Sequence, residues 1–410
     1  MKKYKIMFIT YGGGHVNIVT PLYRYLQTNT TYELQVLALT AAIPVLQAEH
    51  IPYKDILDYI DLFTYKDDAL KIGEKVLGNN YDQASGITRE NLIAYLGLSF
   101  CDLVSELGDY GEAWSKYQAE GRKVFTPVVT MAAILEHEKP DLIIVSSNAR
   151  MEKAAGIAAN SLGIGVIRVQ DVYTETQISY KAAVCVMNDF AAQYYKQHSN
   201  MPENEVVITG QPAFADNLSI DKEILIKLKK YVKYDMYRHK ILILGQKNFV
   251  GFDVLMEEIY LLAADNKEDL FILKIHPNQN LQEIRKQYAN AAVDNLIIEQ
   301  TLPIKYWLQI CDVAIGFTST TQLEAALLNK PTIFVVLDST FNRLDYAKDG
   351  IALKVNCVKD LESAIYKYCL DCNSDQYRQM ANTRKNFLNY SNANERITKI
   401  INDKVNQQNL

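Results

Sequence analysis

The chain has 410 residues, of which 49% are hydrophobic and 22% charged, and its net charge is −5. This length predicts two domains, because a single hydrophobic core rarely grows beyond about 250–300 residues. The acidic balance argues against duplex nucleic acid as the main partner, since contact with phosphates needs a basic face. No window approaches the run of about 18 apolar residues that a membrane-spanning helix requires.

The first half of the chain alternates between apolar strands and helices. A glycine-rich loop, Tyr11-Gly-Gly-Gly-His15, follows a strand over residues 6–10 and precedes a helix over 17–28. A tyrosine-rich, mostly helical insertion is predicted from about residue 67 to 138. Because most crossovers are long enough to hold a helix, we expect a mainly parallel sheet. Further strands are predicted over residues 33–39, 51–53, 141–146, 166–169 and 182–187.

The second half restarts this pattern after a polar, lysine-rich segment. A strand from residue 206 ends in Gly210-Gln211-Pro212, and strands resume at residue 239. The predicted fold is therefore α/β, with two doubly wound Rossmann-like domains whose loops face a shared cleft. The expected boundaries are 1–210 for the N-terminal domain, 211–238 for a linker, 239–385 for the C-terminal domain and 386–410 for a final helix.

The glycine-rich loop is the first candidate site. Gly13 and Gly14 allow a ligand to approach the backbone with no Cβ in the way, and the following helix offers free N–H groups. His15 has a side chain whose ordinary pKa suits a general base acting on an attacking hydroxyl. His15 is therefore the candidate catalytic residue. In the alternative interpretation it caps the helix or packs against the turn.

A second turn, residues 316–321, is rich in hydroxyl side chains and leads into a helix that carries Glu324. Hydroxyls and helix N-terminal amides can hold a diphosphate without a metal ion. Glu324 lies one turn into the helix, where a carboxylate can accept hydrogen bonds from two ribose hydroxyls. The alternative interpretation is a charge that complements the helix dipole. The candidate contacts of this turn are Thr318, Ser319, Thr320, Thr321 and Gln322.

Polar residues also follow other predicted strands at the same sheet edges. Asp171 comes after the strand over 166–169 and is a candidate contact for an acceptor. Gly245 and Lys247 follow the strand that begins at 239, and Lys247 is the expected partner of an anion. His276 lies at the end of the strand that begins at 270. Gln211 lies at the domain joint, where it serves as a hinge or as a ligand contact.

Other types of site have no support in the sequence. The chain lacks the Gly-x-x-x-x-Gly-Lys phosphate loop, the Gly-x-Ser-x-Gly elbow and the His-Glu-x-x-His metal helix. Cys369 and Cys372 form a Cys-x-x-Cys pair without a second pair of ligands. We therefore expect neither a metal site nor a bound cofactor.

Together, these motifs resemble the GT-B superfamily of nucleotide-sugar enzymes. Residues 13–16 are similar to the glycine–histidine loop of the MurG-like lipid-linked glycosyltransferases. Residues 207–212 resemble the strand and turn that open the C-terminal domain there and in the UDP-GlcNAc 2-epimerases. Residues 274–277 are similar to the Lys-x-His-Pro strand end of epimerase-like and polysaccharide-transferase members.

The strongest signature covers residues 311–331. In the superfamily, a glutamate seven residues before a proline holds the ribose of the donor, and Glu324 with Pro331 matches that spacing. Residues 392–397 resemble the final helix, which in this superfamily crosses back to the first domain.

The chain departs from the family patterns at two places, and the first departure argues against an epimerase. The hydrolysing 2-epimerases carry Gly-Asp-Thr after the strand that corresponds to residues 142–145, where this chain has Ser146-Ser-Asn-Ala-Arg150. Residues 318–321 read Thr-Ser-Thr-Thr in place of the double-glycine phosphate turn of both families. This sequence is closer to the Ser-Ser/Thr turn of the capsule and teichoic-type transferases, and it leaves the base and the sugar of the donor open.

The resemblance implies a metal-independent GT-B glycosyltransferase of hexosyltransferase type, in bacterial surface-glycan biosynthesis. Its C-terminal domain would bind a nucleotide-diphosphate sugar, with UDP as the expected nucleotide. Its N-terminal domain would bind a glycan or lipid-linked acceptor. The alternatives are a UDP-sugar 2-epimerase or hydrolase, which needs no acceptor, and a non-catalytic nucleotide-sugar-binding partner.

The expected location is the cytoplasm, because the basic N-terminus is followed by too few apolar residues for a signal peptide. A lysine-rich stretch over residues 227–240 has two interpretations, a solvated helix and linker or a patch that attracts anionic lipid. The second interpretation corresponds to peripheral association with the inner face of the membrane.

Overall fold

The computed structural model describes residues 3–172, 175–216, 220–246, 251–276, 279–288, 293–317, 319–337, 346–348, 350–385 and 392–407. The chain divides into two compact units. The first unit comprises Met1–Asp216 and Tyr390–Leu410, and the second comprises Asn217–Asn389. Much of the segment assigned to a linker from the sequence is helical, with one helix in each unit.

The first unit is built on a parallel sheet with the strand order β2-β1-β3-β4-β5-β6. Ile6 pairs with both Leu34 and Leu142, so β1 lies between β2 and β3. The sheet therefore extends from β1 on both sides. The strands are β1 Lys5–Thr10, β2 Glu33–Ala38, β3 Leu142–Val145, β4 Gly165–Val169, β5 Ala183–Val186 and β6 Glu205–Ile208.

The helices of the first unit connect these strands and include the predicted helical insertion. They are α1 Gly14–Asn29, α2 Ala42–Ala48, α3 Lys66–Leu77, α4 Arg89–Leu107, α5 Tyr110–Glu120, α6 Val128–Glu138, α7 Arg150–Ser161, α8 Asp189–His198 and α9 Pro212–Asp216. Short 3₁₀ turns lie at Ile56–Leu62, Gln83–Ser85 and Gly121–Val124.

Two glycines allow close packing inside the insertion. A Cβ at Gly73 of α3 would lie 2.0 Å from the carbonyl oxygen of Ile93, and a Cβ at Gly97 of α4 would lie 1.9 Å from that of Ala69. Real Cβ atoms do not approach so closely, so each glycine is required by the backbone of the other helix.

The second unit has its own parallel sheet, with the strand order β12-β11-β10-β7-β8-β9. Successive residues of its central strands point to opposite faces. Ile241 and Ile243 belong to one apolar cluster, while Leu242 and Leu244 belong to another. This sheet is therefore covered on both faces, as parallel sheets usually are. The strands are β7 Lys240–Leu244, β8 Leu270–Lys274, β9 Leu296–Glu299, β10 Val313–Gly316, β11 Thr332–Val335 and β12 Leu353–Val355.

Helices flank this second sheet. They are α10 Lys222–Tyr231, α11 Phe252–Asp265, α12 Leu281–Tyr288, α13 Ile304–Ile310, α14 Thr321–Leu327, the short α15 Leu361–Ser363, which continues into a π-helix at Ala364–Cys369, and α16 Asp375–Lys385. Short 3₁₀ turns lie at Tyr234–Met236 and Val358–Asp360.

The last helix, α17 Ala393–Gln407, belongs to the first unit. Lys404 Nζ pairs with Glu205 Oε2 at 2.9 Å, and the hydroxyl of Tyr32 donates to the side chain of Asn402. The chain thus returns to its first unit after completing the second.

The described residues differ from the sequence prediction at one expected strand. Residues 51–53 form no strand, and Lys54 makes only an isolated bridge to Leu37. The segment instead enters the 3₁₀ turn Ile56–Leu62, which Asp55 caps by accepting a hydrogen bond from the backbone N–H of Leu57 at 2.8 Å. Within the described ranges, no helix combines the length and the apolar character needed to cross a membrane.

Candidate functional site

The two sheets share a topological feature at the start of each unit. In the first, the chain runs from β1 to β2 on one side and then returns to β3 on the other. In the second, β7 has β8 on one side and β10 on the other. Loops diverge at such a switch point, and ligands of open α/β sheets bind there. The two glycine-containing turns singled out from the sequence follow β1 and β10.

The loop after β1 is shaped by its glycines in different ways. A Cβ at Gly12 would lie 2.6 Å from the backbone of Ala41, so this position is restricted by close packing. Gly13 has a φ of 71° and precedes α1 without a side-chain cap. Open space surrounds Gly13 and Gly14. The backbone there is accessible, as the sequence predicts for a ligand-binding loop.

His15 lies in a group of carboxylates and hydroxyls that join three loops. Its Nδ1 is 2.8 Å from Ser146 Oγ and 3.2 Å from Glu152 Oε1. Its Nε2 is 3.7 Å from Asp171 Oδ2. These partners follow β3, which is next to β1 on the side away from β2, and β4, which is next to β3. His15 is thus at the switch point of the first sheet.

Glu152 is fully buried and holds this arrangement together. Its Oε2 accepts hydrogen bonds from the backbone N–H groups of Ser146 and Ser147 at 2.7 and 2.8 Å. Its Oε1 accepts one from the N–H of Tyr11 at 3.2 Å. A buried carboxylate needs such donors. Glu152 therefore connects the loop after β1 to the loop after β3.

The hydrogen-bond pattern fixes the tautomer of His15. Ser146 Oγ has a single hydrogen, which it donates to Glu152 Oε2 at 2.9 Å. Both oxygens that face Nδ1 are therefore acceptors toward the ring. Nδ1 carries a hydrogen, and Nε2 is the nitrogen that can gain or lose a proton.

The surrounding charges favour the protonated ring. Burial lowers the pKa of His15, but the negative charges of Glu152, Asp171 and Glu175 outweigh that effect and raise the pKa to about 9. Burial raises the pKa of Glu152, but His15 and the backbone N–H groups of Ser146 and Ser147 keep it below its usual value. His15 and Glu152 thus form an ion pair at neutral pH.

The loop after β4 adds a second ion pair. Arg168 is fully buried, pairs with the carboxylate of Glu175 and donates from Nη1 to the backbone oxygen of Glu175 at 3.2 Å. Glu175 also accepts from the N–H of Asn148 at 3.2 Å. Burial raises the pKa of Asp171, an effect that the charges of His15 and Arg168 partly offset. Within the described residues, Asp171 Oδ1 is buried without a hydrogen-bond partner.

In the second unit, the candidate turn follows β10 and enters α14. Ser319 Oγ accepts a hydrogen bond from the N–H of Thr321 at 3.2 Å, and Thr320, the residue before the helix, makes no capping hydrogen bond with its side chain. Glu324 is half-buried in the first turn of α14. Gly245 follows the neighbouring β7, and a Cβ there would lie 2.8 Å from Ile275 Cα. The predicted contacts Thr318 and Lys247 lie outside the described residues.

Three other predicted contacts have positions that the sequence did not reveal. Gln322 is fully buried and its Nε2 donates to the carbonyls of Gly316 and Ile333, both at 2.9 Å, so the side chain braces the turn. Gln211 lies in the first unit, where its Nε2 donates to the carbonyl of Gln170 at 2.8 Å. His276 is exposed beyond β8.

Lys274, at the end of β8, is buried. Burial lowers its pKa to about 8, although the charge of Glu299 acts in the opposite direction. Its ammonium group donates to the carbonyl of Gln300. Lys274 was visible in the sequence only as part of a motif, because the apolar cover that lowers its pKa depends on the fold.

Sequence reasoning also missed Ser146, Glu152 and Arg168. The available signal was the polar run after β3, followed by an acidic residue in the next helix. This segment has the same strand–turn–helix pattern as the second candidate turn. From the sequence alone, Glu152 could equally be a charge that complements the dipole of the helix. Within the described ranges, no group of three or more His, Cys, Asp or Glu side chains could hold a metal ion.

No protein-family model matches the sequence. One curated relative, the teichoic acid poly(ribitol-phosphate) polymerase of Bacillus spizizenii (strain W23), is 29% identical over 166 residues. That match covers 38% of this chain, and the chain spans only 26% of the relative's length.

Solved structures are similar over nearly the whole chain. A structure of S. aureus MnaA with UDP has a TM-score of 0.63 and 16% identity, and it covers 98% of this chain and 97% of that one. The UDP-GlcNAc 2-epimerase of Neisseria meningitidis bound to UDP-GlcNAc has a TM-score of 0.61 and 15% identity. The match covers 97% of this chain and 100% of that chain.

The glycosyltransferase SnogD of Streptomyces nogalater has a TM-score of 0.55 and 12% identity, with 97% of this chain and 100% of that chain covered. At these identities the similarity concerns the fold, which is common to epimerases and transferases. The two parallel six-stranded sheets with flanking helices agree with it. The chain therefore has the GT-B fold of these nucleotide-sugar enzymes.

Proposed function

We propose that the protein is a metal-independent glycosyltransferase that moves a sugar from a nucleotide-diphosphate sugar to a hydroxyl acceptor. The observation that carries this proposal is the orientation of His15. Glu152 and Ser146 hold its Nδ1, and Nε2 remains as the atom that can exchange a proton. A general base needs this kind of fixed tautomer and orientation.

In this proposal, His15 takes the proton of the acceptor hydroxyl as the hydroxyl attacks the donor sugar. The pKa of about 9 means that only the minor, neutral form of the ring can do so at neutral pH. The rate of transfer would therefore increase with pH as the neutral form becomes more abundant. Asp171, next to Nε2, would help to orient the acceptor hydroxyl.

The second unit would bind the donor. Glu324 would accept hydrogen bonds from the ribose, and the turn formed by residues 318–321 would contact the diphosphate. Gly245, Lys247 and His276 would lie along the nucleotide, and Lys247 or His276 would stabilise the leaving diphosphate together with helix N-termini, in place of a metal ion. Supporting this proposal, the turn follows β10 at the switch point of its sheet, and Glu324 is half-buried in the first turn of α14.

The buried amide of Gln322 would keep this turn in place without touching the donor. Gln211 would act in the same indirect way in the first unit, where it is bonded to the residue before Asp171.

A UDP-sugar 2-epimerase or hydrolase is the second candidate, favoured by the similarity of the fold to the UDP-GlcNAc 2-epimerases. It would turn over the nucleotide sugar without an acceptor. The Ser146–Arg150 sequence, which replaces the Gly-Asp-Thr turn of those enzymes, favours the transferase. A non-catalytic nucleotide-sugar-binding partner would bind the nucleotide and turn over nothing.

The proposed role is in bacterial surface-glycan biosynthesis on the cytoplasmic side of the membrane. The curated relative, whose name describes a teichoic acid polymerase, supports this role. The acceptor would be a glycan or a lipid-linked intermediate.

Peripheral membrane association would fit the surface around α10. Three large apolar side chains are strongly exposed there: Ile226 at 66%, Tyr231 at 62% and Met236 at 71%. Residues 221–238 contain six lysines and arginines and three acidic residues, which leaves a net charge of +3. Exposed apolar groups among lysines suit an anionic lipid surface. Lys240 is not part of this surface, because it is buried and lies 3.4 Å from Asp312 Oδ2.

A binding screen followed by turnover assays would test the proposed function. We would first measure thermal stabilisation by UDP-, GDP-, CDP- and dTDP-activated donors in the presence of a chelator. Turnover of the stabilising donor that requires a hydroxyl acceptor would support the transferase. Acceptor-independent epimerisation or hydrolysis would support the second candidate, and stabilisation without any turnover would support the binding partner.

A further inference from the structure

The first turn of α7 is bonded to the loop that carries His15. Arg150, the first residue of this helix, has a φ of 47°, in the left-handed region that residues other than glycine rarely adopt. Its guanidinium lies 4.5 Å from the centre of the Tyr11 ring and donates to the hydroxyl of Tyr95. Strain of this kind persists only where the surrounding structure maintains it. The two tyrosines therefore help to hold Arg150 in this conformation.

Tyr11 caps α7 from outside the helix. The N–H groups of a first helical turn have no acceptor within the helix, and Ala149, the residue before α7, provides no side-chain cap. The Tyr11 hydroxyl accepts a hydrogen bond from the N–H of Met151 at 3.1 Å. The backbone N–H of Tyr11 in turn donates to Oε1 of Glu152 at 3.2 Å. Tyr11 is thus bonded, through its side chain and its backbone, to two successive residues of α7.

Tyr95 holds the Tyr11 hydroxyl from another element. It lies on α4, in the helical insertion, and its hydroxyl is 2.8 Å from that of Tyr11. The centres of the two rings are 6.3 Å apart, and the ring planes meet at 90°. Both side chains are buried, with 4% of Tyr11 and 1% of Tyr95 exposed. Buried hydroxyls are normally hydrogen-bonded, so removal of either one takes a partner from the other.

The loop between Tyr11 and His15 supplies little rigidity of its own. Open space surrounds Gly13 and Gly14, and glycine has the greatest conformational freedom. The Glu152 oxygen that accepts the N–H of Tyr11 is also the oxygen that lies 3.2 Å from Nδ1 of His15. Tyr11 therefore holds the carboxylate directly and anchors the start of the loop that ends in the imidazole.

We propose that Tyr95 is a positioning residue for His15, which it holds against Glu152 by way of the Tyr11 hydroxyl. This inference rests on the proposed function and names a residue that keeps the proposed base in place. It also gives the helical insertion a part in the reaction centre of the first unit, because Tyr95 belongs to that insertion.

The other negative charges that face His15 come from a different segment. Asp171 and Glu175 belong to the loop after β4, and they too raise the pKa of His15. Within the described residues, neither carboxylate forms a hydrogen bond with the tyrosine pair. An effect of the tyrosine hydroxyls on the imidazole is therefore expected to act through Glu152.

The test is an NMR titration of His15 in the variant Tyr95→Phe, which removes only the hydroxyl. We expect the pKa of His15 to fall from about 9 towards its ordinary value, but by less than in Glu152→Gln, because the carboxylate remains and is held less firmly. Tyr59→Phe is the matched control. Tyr59 is equally buried in the same unit, and its hydroxyl accepts from Gln35 Nε2 at 2.7 Å. This control should lower the stability and leave the pKa of His15 in place.

A double variant tests the route. When Glu152→Gln is already present, Tyr95→Phe should have no further effect on the titration of His15, because the charge through which it acts is gone. Tyr11→Phe removes the same hydrogen bond from its other partner, and it decides the result if thermal unfolding shows that Tyr95→Phe does not fold. An unmoved pKa in a folded variant, an equal shift in Tyr59→Phe, or the same fall with and without Glu152 would overturn the proposed role.

This titration needs neither donor nor acceptor. An enzyme that proves to be an acceptor-independent epimerase would refute the proposed function, while the titration would still decide the role of Tyr95. Conversely, a confirmed transferase in which His15 titrates identically in the wild type and in Tyr95→Phe would refute only the role of Tyr95.

Discussion

The Nδ1 atom of His15 lies 3.2 Å from Oε1 of Glu152, a fully buried carboxylate on α7, the helix that follows β3. The two residues are 137 positions apart in the sequence (152 − 15), and the adjacency of β1 and β3 brings them together. Glu152 also accepts hydrogen bonds from the backbone N–H groups of Ser146 and Ser147, and these bonds hold its carboxylate beside the ring. This contact helps to fix the tautomer of His15, and the charge of Glu152 is the largest of those that raise its pKa.

Replacing Glu152 with Gln should lower the pKa of His15. The variant removes the largest of the charges that raise it, while burial continues to favour the neutral ring. We expect the pKa to fall from about 9 towards the ordinary value of a histidine, measured from the imidazole resonances in a ¹H–¹⁵N NMR titration. Glu112→Gln, exposed on α5, is the control. A titration midpoint of His15 that stays in place would contradict the assigned ion pair.

The stability of the protein should depend on the protonation of His15. Its folded-state pKa is raised from 6.5 to about 9, so its contribution is fully present below pH 6.5 and is lost as the pH rises through 9. By the linkage relation the contribution is at most about 3 kcal/mol. We would compare urea unfolding of the wild type and His15→Gln at pH 6 and pH 10. The difference in unfolding free energy should shrink at the higher pH; a constant difference would count against the raised pKa.

The pH profile of transfer should identify the role of His15. If its neutral form is the base, kcat/KM rises with pH up to about 9, and His15→Ala loses a factor of roughly 10²–10⁴. Glu152→Gln should move the inflection to lower pH. A profile that instead falls above pH 9 would mean that the protonated ring stabilises the leaving group, and the assignment as a base would be wrong.

Nucleotide binding should depend on Glu324. If its carboxylate accepts hydrogen bonds from the ribose, Glu324→Gln should weaken binding of the preferred nucleotide by roughly tenfold or more, because bonds to a charged acceptor contribute about 1.5–3 kcal/mol. The measurement is calorimetric titration. Glu283→Gln makes the same charge change in the first turn of α12 and should leave the affinity unchanged. Equal affinity in both variants would remove Glu324 from the site.

Binding to lipid should depend on α10. The triple variant Lys227→Gln, Lys229→Gln, Lys230→Gln should sediment less with vesicles that contain phosphatidylglycerol, and the wild type should release from them as salt is raised. Vesicles of phosphatidylcholine alone should bind neither protein. The triple variant Lys66→Gln, Lys71→Gln, Lys116→Gln controls for total charge. Similar losses in both triple variants would point to non-specific attraction.

Much of the fold was predictable because it depends on local patterns. Buried apolar strands separated by helical periods indicated two parallel α/β units, and the turns after β1 and β10 were located from glycine and hydroxyl residues. The prediction of a short strand over residues 51–53 was wrong, because the pattern of this segment is common to any brief apolar stretch. Gln322, in the first turn of α14, illustrates a different difficulty. A polar side chain at such a position can form hydrogen bonds with the backbone or with a ligand, and the local sequence is the same in both cases.

The sequence by itself determined that His15 follows a strand and a flexible glycine turn, that Glu324 enters a helix, and that the two lie in separate α/β units. These features are set within about 20 residues of chain, where periodicity and turn chemistry act. Only the tertiary structure decided the charge of His15, because Glu152 and Asp171 come from distant segments that meet at one sheet edge. It also brought the guanidinium of Arg150 to within 4.5 Å of the centre of the Tyr11 ring. Burial and charge act through space, so the pKa of a side chain follows from the fold and is absent from the local sequence.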